Sequence, residues 1–130
     1  MARAKPNLEW LAQAQTDLNA AAAFRKLGST DLKLALVIGD QARLVVFEAF
    51  QIASIADAGA ADMRDADIVI EMSPKDWNAW LRQRARGKGP SLLSLDLDRN
   101  VVRARDPLKR LLLERYNRTL QTFFDQAGVV

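Results

Sequence analysis

The side chains that could carry out acid–base or metal chemistry in this sequence are few in kind. The 130 residues include no cysteine and no histidine. Thiolate nucleophiles, disulfides, imidazole bases and imidazole metal ligands are therefore excluded. Acid–base chemistry would have to depend on a buried carboxylate, and the candidates are Glu48 and Glu71, in or beside predicted strands. A small cavity enzyme with an α+β fold, such as a hydrolase or an isomerase, is one hypothesis that the sequence leaves open.

A second group of interest is aromatic. Two of the three tryptophans lie in the stretch ADIVIEMSPKDWNAWL, residues 66–81. Its first seven residues alternate in a way typical of a strand. Ser73 and Pro74 then predict a helix start, because a serine side chain can accept from free backbone N–H groups and proline lacks a donor that the first turn does not need.

The helix after Pro74 has Trp77, Trp80 and Leu81 at i, i+3 and i+4 spacing, on one face. A strand leading directly into such a helix could form one wall of a large apolar space. The same pattern also fits an ordinary protein core. Tyr116 is the only phenol in the chain, and its hydroxyl could either orient a ligand or reach solvent.

Apolar periodicity predicts the elements that would position these residues. Period-two runs indicate further strands at 32–38, 42–47, 50–56 and 101–105. Turns are expected at 39–41 and 48–49, an exposed loop at 57–65, and a turn at 96–100. Residues 91–97 fit either a helical turn or a strand.

Helices are predicted at both ends of the chain. The first begins after Asn7 and runs to about Leu27, with a break near residues 17–19 as an alternative in which Asn19 caps a second helix. The last begins at Asp106-Pro107 and continues to Gly128. Its apolar stripe follows three- and four-residue spacing: Leu108, Leu111, Leu112, Tyr116, Leu120, Phe123 and Phe124.

Composition indicates a single globular domain over residues 1–130, with 49% apolar and 27% charged residues. The N-terminus lacks the apolar core of a signal peptide and no run is long enough to span a membrane, so we expect a cytoplasmic protein. A net charge of +3 is too weak to indicate nucleic-acid binding.

The order of these elements resembles the sterol carrier protein type 2 family of lipid-binding domains. The residues that carry the resemblance are ADIVI at 66–70 followed by SPKDW at 73–77, with VVFE at 45–48 and VVR at 101–103. The likeness covers about residues 32–124. Two turns depart from the family pattern: Glu48-Ala49 stands where the family has Asp-Gly, and residues 97–100 replace a glycine-containing turn.

The resemblance implies an α+β fold: a curved, mostly antiparallel five-stranded sheet covered by helices, with an N-terminal helix and a long C-terminal amphipathic helix enclosing an apolar cavity. It implies a carrier of a sterol, fatty acid or acyl-CoA, without a catalytic residue, cofactor or metal. An accessory subunit of a lipid-pathway enzyme is an alternative. The implied lipid-binding residues are Phe47, Ile52, Ile70, Trp77, Trp80, Leu81, Leu112, Tyr116, Leu120, Phe123 and Phe124.

Clustered cations raise the question of contact with a membrane surface or a partner enzyme. Arg82, Arg84, Arg86 and Lys88 lie at the end of the tryptophan helix, where cations also suit the helix dipole. They could contact anionic headgroups or an acyl-CoA phosphate, helped by Arg103 and Arg105 if these lie nearby. The acidic residues at 62–67 lack the ligand alternation of a calcium loop, and we interpret them as solvated surface.

Overall fold

Residues 8–128 are described in the computed structural model of the protein. Its central element is a sheet with strands β1 (Leu32–Ile38), β2 (Gln41–Glu48), β3 (Gln51–Asp57), β4 (Ile68–Met72) and β5 (Val102–Ala104). The strand order is β3-β2-β1-β4-β5. Neighbouring strands are antiparallel except β1 and β4, which are parallel. The predicted α+β class and mostly antiparallel five-stranded sheet are confirmed.

Helices precede, connect and follow the strands. They are α1 (Trp10–Ala20), α2 (Ala22–Arg25), α3 (Ala60–Asp65), α4 (Pro74–Ala85), α5 (Leu92–Arg99), α6 (Pro107–Arg115) and α7 (Asn117–Asp125), followed by a 3-10 turn at Gln126–Gly128.

Two tight turns set the register of the first three strands. Gly39 has a φ of 64°, and a Cβ at that position would lie 3.0 Å from the ring of Pro74, so glycine suits both the turn and the packing of α4 against it. Ala49 also has a positive φ, 53°. The predicted turn at Glu48-Ala49 is confirmed, although alanine is an unusual residue for this conformation.

The predicted continuous helix to about Leu27 is divided in two, and the break does not lie where the alternative placed it. Ala21 is extended, with φ −88° and ψ 120°, so α1 ends at Ala20 and not near residues 17–19. Asn19 does not act as a cap. Its Oδ1 accepts from the N–H of Ile52 at 2.7 Å and its Nδ2 donates to the carbonyl of Ile52 at 3.0 Å. The side chain therefore satisfies backbone groups of the edge strand β3, a tertiary role. Asn7 lies outside the described residues.

Two segments predicted as loop or turn are helical. The expected exposed loop at 57–65 contains α3, where Oδ2 of Asp62 accepts from the N–H of Gly59 at 2.9 Å and stabilises the first turn. Residues 91–97, for which the sequence allowed a helical turn or a strand, are helical. Ser91 caps α5, which continues to Arg99. The helix ends at Asn100, whose φ is 53°. The predicted turn at 96–100 is therefore wrong except for its last residue.

The C-terminal helix is divided in two at Tyr116, which has φ −105° and ψ 16°. Before that residue, α6 buries Leu113 and exposes Leu108 and Leu111. After it, α7 buries four side chains. The prediction of one continuous helix with a single buried stripe is therefore wrong, since α6 buries a residue that is not on the stripe, whereas α7 buries Leu120, Phe123 and Phe124 on it.

The inner face of the sheet forms the core together with α1, α4 and α7. Period-two residues of every strand meet there: Leu32, Leu34, Leu36, Ile38, Val45, Phe47, Ile52, Ile68, Ile70, Met72 and Val102. The outer face is covered in part by α3, which contacts β1, and Ala35 is fully buried on that side.

Candidate functional site

Six aromatic rings meet between the sheet and the helices. We name these six residues the ring cluster: Trp10, Phe47, Trp77, Trp80, Phe123 and Phe124. All six are at most 5% exposed. Neighbouring ring centroids are separated by 5.0–6.2 Å, distances at which aromatic pairs attract in tilted and edge-to-face geometries. The cluster brings together residues of α1, β2, α4 and α7, which are distant from one another in the sequence.

The start of α4 fixes the two tryptophans of the 66–81 stretch. Oγ of Ser73 accepts from the N–H of Asp76 at 3.1 Å, which confirms the predicted cap. Nε1 of Trp77 donates to the carbonyl of Val37 at 2.8 Å. Nε1 of Trp80 donates to the carbonyl of Pro90 at 2.8 Å. Both indoles thus keep their polar atom satisfied while their rings stay buried.

Phe124 of α7 joins the three tryptophans. Its ring centroid lies 5.4 Å from that of Trp80, 5.7 Å from Trp77 and 6.2 Å from Trp10. The tryptophan helix and the terminal helix are therefore in direct contact at this level, and no open space separates these rings. The apolar cavity implied by the resemblance is filled by side chains at this point.

The remaining implied lipid-binding residues surround the same cluster. Ile52, Ile70, Leu81 and Leu120 are buried in the core. Leu112 and Tyr116 are only partly buried and pack against that core. Leu112 lies in α6, and Tyr116 is the residue between α6 and α7. The structure thus gathers all eleven residues in one region, with Leu112 and Tyr116 nearest to solvent.

The burial of two further residues of this region could not be predicted from the sequence. Trp10 stands at the start of a predicted helix, yet its ring lies 5.0 Å from that of Phe123. Leu113 is not on the predicted stripe, yet it is only 1% exposed. The run Leu111-Leu112-Leu113 offers three registers for a helical stripe, and spacing within the helix cannot choose among them.

A buried carboxylate connects the elements beside the ring cluster. Asp96 of α5 is 4% exposed. Its Oδ1 accepts from the N–H of Val102 at 2.8 Å, and its Oδ2 forms an ion pair with Nη2 of Arg110. The carboxylate therefore holds α5, β5 and α6 together, which accounts for its burial by a structural role.

The carboxylates named for an enzyme hypothesis are not buried. Glu48 and Glu71 are both exposed, and Oε1 of Glu71 forms an ion pair with Nη2 of Arg103 at 2.6 Å. Neither is therefore a buried acid or base. Glu71 is exposed between the buried Ile70 and Met72, which confirms the orientation that the alternation of the strand predicts. Within residues 8–128, no group of three or more acidic side chains is placed to hold a metal ion.

One cation of the cluster at the end of α4, Arg84, links this helix to α7. Nε and Nη2 of Arg84 each lie 3.0 Å from a carboxylate oxygen of Asp125 in α7. Hydrogen bonding to Asp125 raises the pKa of Arg84, partial burial opposes this, and the charge attraction of Asp125 adds to the rise.

Arg103 and Arg105 do not extend that cluster. Arg103 pairs with Glu71, just before the start of α4, whereas Arg84 lies in its last turn. A 12-residue helix is about 18 Å long. The arginines of β5 and its flank therefore lie near the opposite end of α4, and the expected joint headgroup site is not formed.

Comparison with known proteins adds one structural likeness. The chain is similar to a solved structure described as "UbiJ-SCP2 Ubiquinone synthesis protein", with 16% identity, a TM-score of 0.48, and coverage of 96% of this chain and 94% of that one. The abbreviation SCP2 is that of the family that the sequence resembles. No protein-family model matches the chain, and no curated protein matches it at a significant level.

The helices differ from membrane spans in length and composition. Of those within residues 8–128, none is both long enough and apolar enough to cross a bilayer.

Proposed function

We propose that this protein binds a hydrophobic ligand of the fatty acid, acyl-CoA or sterol type against the ring cluster, and carries or presents it without reacting with it. The observation that supports this most is the packing of α6, whose single fully buried side chain, Leu113, belongs to the same hydrophobic core as the ring cluster. A wall held by so few apolar contacts can open at a lower free-energy cost than the rest of the core.

Ligand entry is proposed at the boundary between α6 and α7. Tyr116 lies at this boundary and Leu112 lies one turn before it; both are partly exposed, whereas Leu113 and Leu120 are buried. A long acyl chain or a sterol that displaces packing there gains about 25 cal/mol for each Å² of apolar surface removed from water. That amounts to several kcal/mol before the cost of opening the wall and ordering the ligand.

The ring cluster supplies its own reporter for an experiment. All three tryptophans of the chain belong to it, so intrinsic tryptophan fluorescence comes entirely from the proposed site. We expect native mass spectrometry of the purified protein to show a bound lipid, and we expect added oleate, oleoyl-CoA or cholesterol to change the fluorescence in a saturable way.

A matched pair of phenylalanine variants separates the site from general stability. Phe124→Ala removes the ring that contacts all three tryptophans, whereas Phe24→Ala empties a buried position in α2 outside the proposed site. We expect Phe124→Ala to change the fluorescence response and ligand affinity, and Phe24→Ala to retain both below its melting temperature. A wild-type protein that carries no lipid and whose fluorescence ignores all three ligands would contradict the proposal.

A further inference from the structure

The outward side of α6 carries an apolar stripe that the core does not use. Leu108 is 74% exposed and Leu111 is 58% exposed, and their spacing of three residues places them on the same side of the helix. Arg115 continues this side, four residues after Leu111. We name Leu108, Leu111, Arg115 and the exposed Arg118 just beyond it the α6 patch.

The segment around the α6 patch has an excess of positive charge. Residues 103–118 contain six lysines and arginines but only two carboxylates, Asp106 and Glu114. The whole chain has a net charge of only +3, so positive charge is concentrated in this segment.

Part of this charge is neutralised by neighbouring strands and helices. Asp67 contacts both Arg105 and Lys109, while Glu71 pairs with Arg103 and Asp96 with Arg110.

The two arginines of the α6 patch are not neutralised in this way. Within residues 8–128, neither Arg115 nor Arg118 forms an ion pair. The guanidinium of Arg115 instead lies 5.6 Å from the ring centroid of Tyr116, a cation–π contact that leaves its charge available. Arg115, which has no carboxylate partner among these residues, therefore lies one turn after the exposed Leu111 on the same helix, and Arg118 follows it in the first turn of α7.

We infer that the α6 patch docks on the surface of an anionic phospholipid bilayer. Leucine side chains in the interface of a bilayer are removed from water, and arginines at their flank contact phosphate groups. The two leucines make a nucleic acid a poor occupant, since phosphate backbones are bound by charge and polar contacts. The inference is independent of the proposed ligand, because the patch faces away from the buried ring cluster.

Docking by two leucines and a few cations is expected to be weak, reversible and dependent on salt. It would bring the boundary of α6 and α7, where we propose ligand entry, close to the membrane.

The test is co-sedimentation of the full chain with vesicles. One set consists of an equimolar mixture of phosphatidylcholine and phosphatidylglycerol, and the other of phosphatidylcholine alone. We expect binding to the mixed vesicles at low salt, a loss of severalfold at high salt, and much weaker binding to phosphatidylcholine alone. The double variant Leu108→Ser, Leu111→Ser should bind about tenfold less, since it removes both inserted side chains.

Phe50→Ser is the matched control. Phe50 is 51% exposed in the turn between β2 and β3, at the opposite edge of the sheet from β5 and α6. This variant should bind as the wild type does, and circular dichroism should show that both variants remain folded.

Three results would overturn the inference. They are absence of wild-type binding to the mixed vesicles, equal binding to both vesicle types, and equal binding by the double variant and the control. Since the tryptophan titration with soluble ligands does not involve the patch, failure here leaves the proposed function standing, and the reverse also holds.

Discussion

The two halves of the C-terminal segment, α6 and α7, are equal in length and differ in how much of their apolar surface is buried. Both are nine residues long and rich in large apolar side chains. Helix α7 buries Leu120, Phe123 and Phe124 in the ring cluster and its surroundings, whereas α6 buries only Leu113. The difference shows that an apolar stripe can serve either the core or a surface, and that the neighbouring elements determine which.

The polar contacts that hold α6 and α7 in place also differ. Helix α7 is tied to α4 by Arg84 and Asp125, and to α5 by Gln121, whose Oε1 accepts from the N–H of Leu92 at 2.7 Å. Helix α6 is tied mainly through charged side chains: Arg110 to Asp96, and Lys109 to Asp67 at the start of β4. The two helices should therefore differ in how readily they open.

The largest loss of stability is expected for a substitution in α7. Phe124→Ala removes a fully buried ring from the centre of the ring cluster and leaves a cavity, so we expect the free energy of unfolding to fall by about 3–5 kcal/mol. Urea denaturation followed by circular dichroism measures this. A loss below about 1 kcal/mol would show that the cluster collapses around the gap and that α7 is not the tightly packed half.

A smaller loss of stability is expected when the contacts of Asp96 with Val102 and Arg110, which hold α6, are removed. Asp96→Ala leaves the N–H of Val102 without its acceptor and frees Arg110, which should cost about 1–3 kcal/mol. Hydrogen exchange should increase in α6 and β5 more than in α7. Equal increases in both helices would mean that they open as one unit and would remove the distinction between them.

The ion pair on α7 should contribute less. Arg84→Met removes a two-bond contact with Asp125 between partly exposed side chains, with an expected loss of about 1 kcal/mol.

The sign of its pH dependence follows from the raised pKa of Arg84. A raised pKa in the folded state stabilises the protein throughout the neutral range, and that contribution is lost as the pH rises through the raised pKa in strong alkali. The difference between wild type and Arg84→Met, measured by denaturation, should therefore stay constant across the neutral range. A stability difference that varies with pH in the neutral range would mean that a group other than Arg84 is responsible.

The smallest effect is expected on the exposed side of α6. Leu111→Ala should change the free energy of unfolding by no more than about 0.5 kcal/mol, because its side chain is largely in water and alanine favours helix. Leu113→Ala, two residues away, is the matched comparison and should cost several-fold more, since that side chain is buried. Similar losses for both variants would contradict the orientation of α6.

The predictable part of this fold depends on local signals. Alternation locates the strands, and the turn at Gly39, the cap at Ser73 and the Asp106-Pro107 start all lie where side chains act on their own backbone. The prediction that Trp77 and Trp80 share a face holds for the same reason. Their role in ligand binding stays a prediction.

The parts that could not be predicted depend on distant partners. The sequence favours Asn19 as a possible helix cap, but it bonds to Ile52, 33 residues away in sequence. The sequence places Asp96 in a turn, but Val102 and Arg110 make a buried position for it. In both cases the side chain satisfies groups that become its neighbours only when the sheet is assembled.

The sequence by itself determined the order of the five strands, the absence of thiol and imidazole chemistry, and the aromatic residues available for a core. Only the tertiary structure decided that six rings from α1, β2, α4 and α7 meet, and that Leu113, and not Leu108 or Leu111, turns inward. The physical reason is that periodicity fixes which residues share a face, whereas burial is fixed by what another part of the chain places against that face.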